Sequence, residues 1–208
     1  QSALERAVEN APNKIYKEYL KDYTNILSQP IPNIKRLAID IEVHAPDGIF
    51  PSLKNPIHKI TCVGLASNTG YKRTLTLNDP SLHKQDPKVN YDFISYFTSE
   101  RALLQTLFAY FEDYPMIVTF NGDDFDLAYL YMRAKFLGIE KTPIQFNEED
   151  LNKSNLIAKD AVLVENGIHI DLFRIFKNRS LHNYAFNAKY KQFGLDPIAM
   201  AIRGEGKI

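Results

Sequence analysis

The sequence predicts an α/β fold, because three strands come first and helices and strands alternate after them. The strand segments are short apolar runs, and the helix segments carry apolar residues at helical spacing. Hydrophobic residues make up 45% of the 208 residues and charged residues 24%, a composition typical of a globular domain. The predicted strands are 35–43, 58–66, 72–78, 116–120 and 168–172, and the predicted helices in this region are 99–113, about 124–137 and about 182–193.

A further helix is predicted ahead of the sheet, over residues 15–27. Its apolar residues, from Ile15 to Leu27, recur on one face at helical spacing, and Pro30 and Pro32 end it. We expect this lead-in to be a connector from a preceding domain rather than the start of a core.

Capping and turn residues mark the limits of the later elements. Ser99 is the expected N-cap of the helix that follows it, and Asn121-Gly122 is expected to turn the chain between a strand and a helix. Two polar stretches are expected to be loops: 79–92 and 140–160.

Charge and composition narrow the class of protein. Lys and Arg number 25 and Asp and Glu also 25, so the formal net charge is zero. Free-standing nucleic-acid binders are usually basic, whereas a catalytic domain whose partner domains hold the nucleic acid need not be. The single cysteine, Cys62, excludes an intrachain disulfide. No run approaches the roughly 18 apolar residues of a membrane helix, and the N-terminus does not resemble a signal peptide. We expect a soluble, cytoplasmic protein.

Asp40-Ile41-Glu42 is the most informative segment of the chain. It lies inside an apolar strand, where residues two apart share a face, so both carboxylates point to one side and Ile41 to the other. Two neighbouring acids repel each other and are costly to desolvate. A bound cation is the usual compensation, so the segment predicts a metal site on a rigid strand.

A second acidic segment follows Asn121-Gly122 and contains Asp126. A strand that runs through a turn into a helix is a common place for a site in α/β sheets. The alternative is purely structural: Asp123 or Asp124 caps the helix, and Asp126 is a first-turn acid favoured by the helix dipole. Together with Asp-x-Glu upstream, the functional interpretation of Asp126 is favoured.

The donor atoms indicate which chemistry the two segments suit. Carboxylate oxygens prefer hard cations such as Mg²⁺ and Mn²⁺. Phosphodiester hydrolysis can use two such ions about 4 Å apart, one for the attacking water and one for the leaving oxygen. Residues i and i+2 of a strand are about 6.6 Å apart at the backbone, so their side chains can lie on either side of two metal ions. A third carboxylate would complete the set of ligands.

Two motifs carry a resemblance to a known family. Ala38-Ile-Asp-Ile-Glu-Val43 and Thr119-Phe-Asn-Gly-Asp-Asp-Phe-Asp-Leu127 resemble the first and second exonuclease motifs of B-family DNA polymerases, most closely archaeal ones. Residues 168–173 and 183–190 are also similar to the region that follows the second motif. Asp-x-Glu alone is a weak signal, but both motifs in this order and context are specific. The resemblance covers about 35–208.

The resemblance implies a fold and a set of roles. The fold is ribonuclease H-like, a mixed sheet with its first three strands antiparallel and helices on its faces. The activity is 3′→5′ proofreading of single-stranded DNA with two Mg²⁺ or Mn²⁺ ions. Asp40 would bridge the metals, Glu42 would bind the nucleophile-side metal and orient water, and Asp126 would bind the second metal. Asn121 and Phe125 would contact the 3′-terminal nucleotides.

The family's third motif, Tyr-x-x-x-Asp, does not occur after the second motif in this sequence. We therefore expect a C-terminally truncated domain, with the motif and the palm, fingers and thumb of a polymerase beyond residue 208. The implied domains are a helical connector over 1–33 and an incomplete exonuclease domain over 34–208. The isolated fragment is expected to be weakly active or inactive.

Three alternatives remain open from the sequence. Asp171 lies on a strand and can either replace the missing fourth carboxylate or, as we favour, form hydrogen bonds at the end of the sheet. The whole domain can be a catalytically silent scaffold that contacts single-stranded DNA. It can also be a stand-alone exonuclease that acts on RNA or DNA.

Overall fold

The structure, a computed structural model, divides into two compact units, Gln1–Ile34 and Lys35–Ile208. The division into a connector over 1–33 and an exonuclease domain over 34–208 concerns a longer protein and stays a prediction. The residues that the structure describes are 3–30, 32–81, 91–153 and 160–204.

The first unit contains two helices, α1 (Ala3–Glu9) and α2 (Lys14–Ser28). The prediction of a helix over 15–27 is confirmed, whereas α1 was not predicted. Asn13 caps α2, because its side-chain oxygen accepts a hydrogen bond from the Tyr16 N–H at 2.9 Å. The apolar side of α2 is exposed at Ile15, Tyr16, Tyr19, Tyr23, Ile26 and Leu27.

The second unit is built on a mixed sheet that, in the described part of the chain, has six strands in the order β4-β3-β2-β1-β5-β8. β1, β2 and β3 are antiparallel neighbours, as predicted. β4 runs parallel to β3, β5 parallel to β1, and β8 parallel to β5. The strands of this sheet are β1 (Arg36–Val43), β2 (Ile60–Ser67), β3 (Lys72–Leu77), β4 (Ile94–Phe97), β5 (Met116–Thr119) and β8 (Ile168–Asp171).

Helices and short strands complete the unit. β6 and β7 form a separate antiparallel pair. The helices and the remaining elements are α3 (Glu100–Asp113), α4 (Asp126–Phe136), β6 (Ile144–Gln145), a 3₁₀ helix (Glu148–Asn152), β7 (Leu163–Val164), α5 (Leu172–Lys177), a π-helical turn (Leu181–Ala185) and α6 (Leu195–Arg203).

Strand β1 separates the core from the open face of the sheet. Leu37, Ile39 and Ile41 are buried in a core that also contains the apolar side chains of α3 and α4. Asp40 and Glu42 point to the other side and are exposed. The alternation has the period of two that a strand requires, so the burial of one face dictates the exposure of both acids.

Several expectations about the later chain were wrong. The stretch 140–160 is not only a loop, because it holds β6 and the 3₁₀ helix, and most of the predicted loop 79–92 lies outside the described residues. Strand β4 was not predicted. Ser99 occupies the N-cap position of α3, but its side chain makes no capping hydrogen bond.

The helix predicted over about 182–193 forms only at its start, as the π-helical turn Leu181–Ala185. Asn187 and Ala188 have φ of 48° and 51°, left-handed values that an α-helix does not contain. The segment instead folds around aromatic contacts, with the Tyr190 ring 4.6 Å from His182 and 5.9 Å from Phe186. The periodicity that predicts a helix here comes from this aromatic cluster, and the helices lie on either side of it as α5 and α6.

A buried ion pair joins α3 to α4. Arg133 donates to both carboxylate oxygens of Glu100, from Nε at 2.8 Å and from Nη2 at 2.6 Å. Its Nη1 donates to the Pro56 carbonyl, and Glu100 also accepts from the Ile60 N–H. The pair therefore fixes both helices to the start of β2.

Replacing Glu100 by Gln should destabilise the second unit by about 3–5 kcal/mol, because the change leaves the Arg133 charge buried without its counter-ion. Urea unfolding measures the loss. The matched control is Glu148→Gln, which removes the exposed partner of Lys135 and should cost far less. Equal losses for the two variants would show that the buried pair does not hold the helices.

Candidate active site

Strand β1 presents the first two acids over an open part of the sheet. Asp40 lies opposite Gly64 of β2, and Glu42 lies opposite Cys62. Because Gly64 has no side chain, the space beside Asp40 above the sheet is free of protein atoms from that position. A β-carbon added at Gly64 would meet only the Asp40 carbonyl oxygen, at 4.0 Å.

Asp126 is brought to the same strand by one hydrogen bond. It is the first residue of α4, is only 5% exposed, and its Oδ1 accepts from the Ile41 N–H at 3.1 Å. Ile41 stands between the two acids of Asp-x-Glu. The third predicted carboxylate therefore lies against the backbone that separates the first two.

The turn between β5 and α4 is specified by two residues. Asn121 has φ of 72°, a left-handed conformation that Asn tolerates better than most residues. Gly122 packs against Thr119 so closely that a β-carbon would lie 2.2 Å from the Thr119 hydroxyl oxygen. Only glycine fits there. Asn121 and Phe125 are both half-buried on this turn, with the Phe125 ring 5.5 Å from that of Tyr129. Their contact with DNA stays a prediction.

A groove of about 490 Å³ begins at Asp40 and crosses the open face of the sheet. Its floor consists of small residues, Ala38, Gly64 and Ala66, which face the same side as Asp40. A second groove of about 530 Å³ lies between α3 and the chain that follows α4, and none of the predicted site residues lines it. The walls of the first groove include Lys72, Thr74, Phe93, Phe120, Leu172 and Leu195.

Comparison with known proteins identifies the family. Residues 2–188 match the family model described as DNA polymerase family B, exonuclease domain. The chain belongs to this family. The predicted resemblance and the predicted fold are confirmed by the match.

Curated relatives of the exonuclease domain are archaeal DNA polymerases. The chain is 38% identical over 197 residues to DNA polymerase 1 of Sulfurisphaera ohwakuensis and 36% identical over 199 residues to DNA polymerase 1 of Saccharolobus solfataricus, each alignment covering 94% of this chain. A DNA polymerase of Pyrococcus glycovorans is 30% identical over 178 residues, or 84% of this chain. The aligned region spans 21% of the length of each of these relatives. No helix among the described residues is long and apolar enough to cross a membrane.

Burial and charge act together on Asp126 of the exonuclease domain. Burial, assisted by the negative charges of Asp40 and Asp171, raises the pKa of this carboxyl to about 6, although the hydrogen bond from the Ile41 N–H lowers it. The charges of Asp40 and Asp171 therefore oppose the ionisation of Asp126. A cation beside Asp126 would favour its ionised form.

The donor chemistry of the site fits a hard cation. Asp40, Glu42 and Asp126 offer only carboxylate oxygens, which Mg²⁺ and Mn²⁺ prefer. In the part of the chain that the structure describes, however, no three His, Cys, Asp or Glu side chains close on a single point. The structure therefore places the predicted ligands around one strand edge without forming a finished coordination shell.

The alternative in which Asp123 or Asp124 caps α4 is wrong. Phe125 occupies the N-cap position, and no side chain caps the helix there. Asp123 is instead buried, where it accepts from the Val162 N–H at 2.7 Å and from Arg174 Nε at 2.7 Å. Burial alone would raise the pKa of Asp123, but hydrogen bonds from His169 and Val162 hold it below its usual value.

Sequence reasoning missed the network around Asp123. His169 lies between Thr119 and Val162, with its Nε2 2.8 Å from the Thr119 hydroxyl and its Nδ1 3.0 Å from the Val162 carbonyl. Both ring nitrogens of His169 therefore lie within hydrogen-bond distance of protein atoms. The adjacent acids Asp123 and Asp124 are one signal that could have prompted a search for a buried partner.

Replacing Asp126 by Asn should stabilise the metal-free domain at pH 7.5. A folded-state pKa near 6, against an ordinary 3.8, means that folding takes up a proton between about pH 4 and pH 6. The contribution of Asp126 to the free energy of unfolding therefore falls as pH rises through that window, by at most about 3 kcal/mol. The gain from Asn should be present at pH 7.5 and absent at pH 4.

Urea unfolding with a chelator at both pH values measures this gain. Asp124→Asn is the control, since Asp124 lies on the same turn with an exposed side chain. If Asp126→Asn raised the free energy of unfolding equally at pH 4 and pH 7.5, the gain would not come from removal of the Asp126 charge.

Proposed function

We propose that the domain removes nucleotides from the 3′ end of single-stranded DNA by metal-dependent hydrolysis and serves as the proofreading exonuclease of a longer B-family DNA polymerase. The observation that carries the proposal is the hydrogen bond from the Ile41 N–H to Asp126, because it holds a third carboxylate against Asp-x-Glu. An acid in that position gives the domain no structural benefit that Asn would not also give.

Asp40, Glu42 and Asp126 would hold Mg²⁺ or Mn²⁺. When bound, such ions supply positive charge at the phosphodiester oxygens and lower the pKa of water. Asp40 and Glu42 lie on a strand that pairs with β2 at both positions and with β5 as far as Ala38, so the chain itself presents them without loop rearrangement. The carboxylates orient the attacking water and the reacting phosphate on the open face of the sheet.

The groove beside Asp40 suits one unpaired nucleotide. Its volume of about 490 Å³ lies in the range of small-ligand sites. Phe93 and Phe120 offer aromatic surface, and Lys72 offers a positive charge. Stacking on aromatic rings tolerates every base, which is what an enzyme that removes any terminal nucleotide needs.

The remaining domains of the polymerase are the proposed partners. Related polymerases are about five times as long as the aligned region, and this chain carries no net charge. Affinity for DNA depends largely on phosphate contacts from basic residues. We infer that other domains hold the duplex and deliver its frayed 3′ end to this one.

The rival function is a silent scaffold that contacts single-stranded DNA. One observation favours it: among the described residues, no three potential metal ligands close on one point. The two functions differ in whether DNA is cut, so a single assay separates them.

Degradation of a 5′-labelled single-stranded DNA with Mg²⁺ or Mn²⁺ is the test. The chain and the polymerase that contains it should be compared, each with an Asp40→Ala variant. We expect the polymerase to produce a ladder from the 3′ end that Asp40→Ala and metal chelation abolish. Asp47→Ala, which changes an exposed loop acid, is the control and should leave the ladder intact. Absence of any ladder from the polymerase would support the scaffold.

Asn121→Gly tests the predicted DNA contact without disturbing the turn, because glycine accepts the left-handed φ of 72°. Loss of a side chain that binds substrate and transition state equally should raise KM for single-stranded DNA several-fold and leave kcat nearly unchanged. Steady-state kinetics in the polymerase measure both constants. Asn166→Gly is the matched control, since Asn166 also has a left-handed φ, of 56°. An unchanged KM would remove Asn121 from the DNA-binding set.

A further inference from the structure

Asp171 stands at the junction of three elements, at the end of β8, at the start of α5 and beside the turn that leads to Asp126. We propose that Asp171 is a positioning residue, whose carboxylate fixes the Asn121–Asp126 turn and so sets the place of the Asp126 carboxylate. Its effect on catalysis rests on the proposed exonuclease function. Its effect on the turn does not.

Three backbone N–H groups converge on this carboxylate. Oδ1 accepts from Asn121 at 2.7 Å and from Phe173 at 2.9 Å, and Oδ2 accepts from Asp123 at 3.2 Å. Asp171 is 7% exposed, so its carboxylate is largely shielded from water and these bonds stabilise the fold more than bonds on the surface would. One side chain thus joins the strand, the helix and the turn.

The turn itself creates the anion site that Asp171 fills. A left-handed residue followed by further turn residues directs successive N–H groups to one point, and such a concavity binds anions. Asn121 is left-handed, and the N–H groups of Asn121 and Asp123 both point to Asp171. In many proteins a bound phosphate fills such a site, whereas here the chain supplies its own carboxylate.

A second anchor makes the same connection through side chains. Arg174, on α5, donates from Nε to Asp123 at 2.7 Å, and the Val162 N–H donates to the other oxygen of Asp123. Asp123 precedes Asp126 by three residues. The turn is therefore held twice, through its backbone N–H groups by Asp171 and through the Asp123 side chain by Arg174. A shift of the turn that moved Asp126 would break both sets of contacts.

The same contacts argue against Asp171 as the fourth metal carboxylate. Both of its oxygens already accept N–H groups, and these groups have no other hydrogen-bond acceptor among the described residues. Turning the carboxylate toward a metal would leave those donors unpaired, at a cost of about 1–3 kcal/mol for the buried Asp123 N–H.

Asp171→Asn is the variant that tests the proposal. The amide oxygen can retain the two bonds of Oδ1, but the NH₂ group then faces the Asp123 N–H, donor against donor. We expect faster amide exchange in the peptide that covers residues 119–126. We also expect the Mg²⁺ concentration for half-maximal DNA degradation to rise 10- to 100-fold, the usual effect of removing a group that orients a metal ligand.

Asp150→Asn is the matched control. Asp150 is a buried carboxylate, 2% exposed, on the 3₁₀ helix; it accepts from the Asp160 N–H at 2.8 Å and forms an ion pair with Lys153. Asp150→Asn should lower the free energy of unfolding by a comparable amount. It should leave the amide exchange rate of 119–126 and the Mg²⁺ concentration for half-maximal degradation unchanged. A residue with a merely structural role would give the same Mg²⁺ requirement as this control.

Both measurements are made on the polymerase that contains the chain. Unchanged exchange of 119–126 in Asp171→Asn, or an unchanged Mg²⁺ requirement, would overturn the proposal. If Asp171→Asn does not fold, Arg174→Met is the substitute, because the Arg174 side chain is 40% exposed and its loss should be tolerated. This variant should also speed amide exchange of 119–126 and raise the Mg²⁺ requirement. If the unaltered polymerase does not degrade DNA, the proposed function fails, and the exchange comparison alone decides whether Asp171 fixes the turn.

Discussion

The short parallel ladder between β1 and β5 is the constraint on which the site depends. Its register runs only from the Arg36–Met116 pair to the Ala38–Val118 pair. Beyond it, β1 continues through Asp40 and Ile41 while the chain after β5 turns away. A buried N–H group needs an acceptor, and the Ile41 N–H finds one in Asp126. The hydrogen-bond pattern of the sheet thus draws the third acid to the first two.

Helix α4 is restrained along its length as well as at its start. Tyr129 donates its hydroxyl proton to the His58 carbonyl, and Arg133, seven residues after Asp126, is held by Glu100. These contacts attach α4 to the segment just before β2 and to α3. An acid that must hold its place against electrostatic repulsion needs a scaffold of this kind, because a mobile helix end would let the charges move apart.

The sequence predicted well those features that depend on local pattern. The exposure of Asp40 and Glu42 follows from the alternation of β1, and the strand-turn-helix context of Asp126 follows from Asn121-Gly122. Features that depend on distant partners were missed. The local sequence does not identify the partners with which Asp123 is buried, because Val162 and Arg174 come about 40 and 50 residues later. The two-residue strands β6 and β7 were missed for the same reason, because each is defined by its pairing with the other about 20 residues away.

Cys62 lies opposite Glu42 in the sheet, and this position affects the acidity of its thiol. Burial raises the pKa of its thiol, and the charges of Glu42 and Asp40 raise it further, despite a hydrogen bond with Thr76 that opposes them. The thiolate is the form that oxidants and alkylating reagents attack. The raised pKa lowers the thiolate fraction of the only cysteine of the chain, so the acid pair to which we assign catalysis also lowers the reactivity of a neighbouring sulfur.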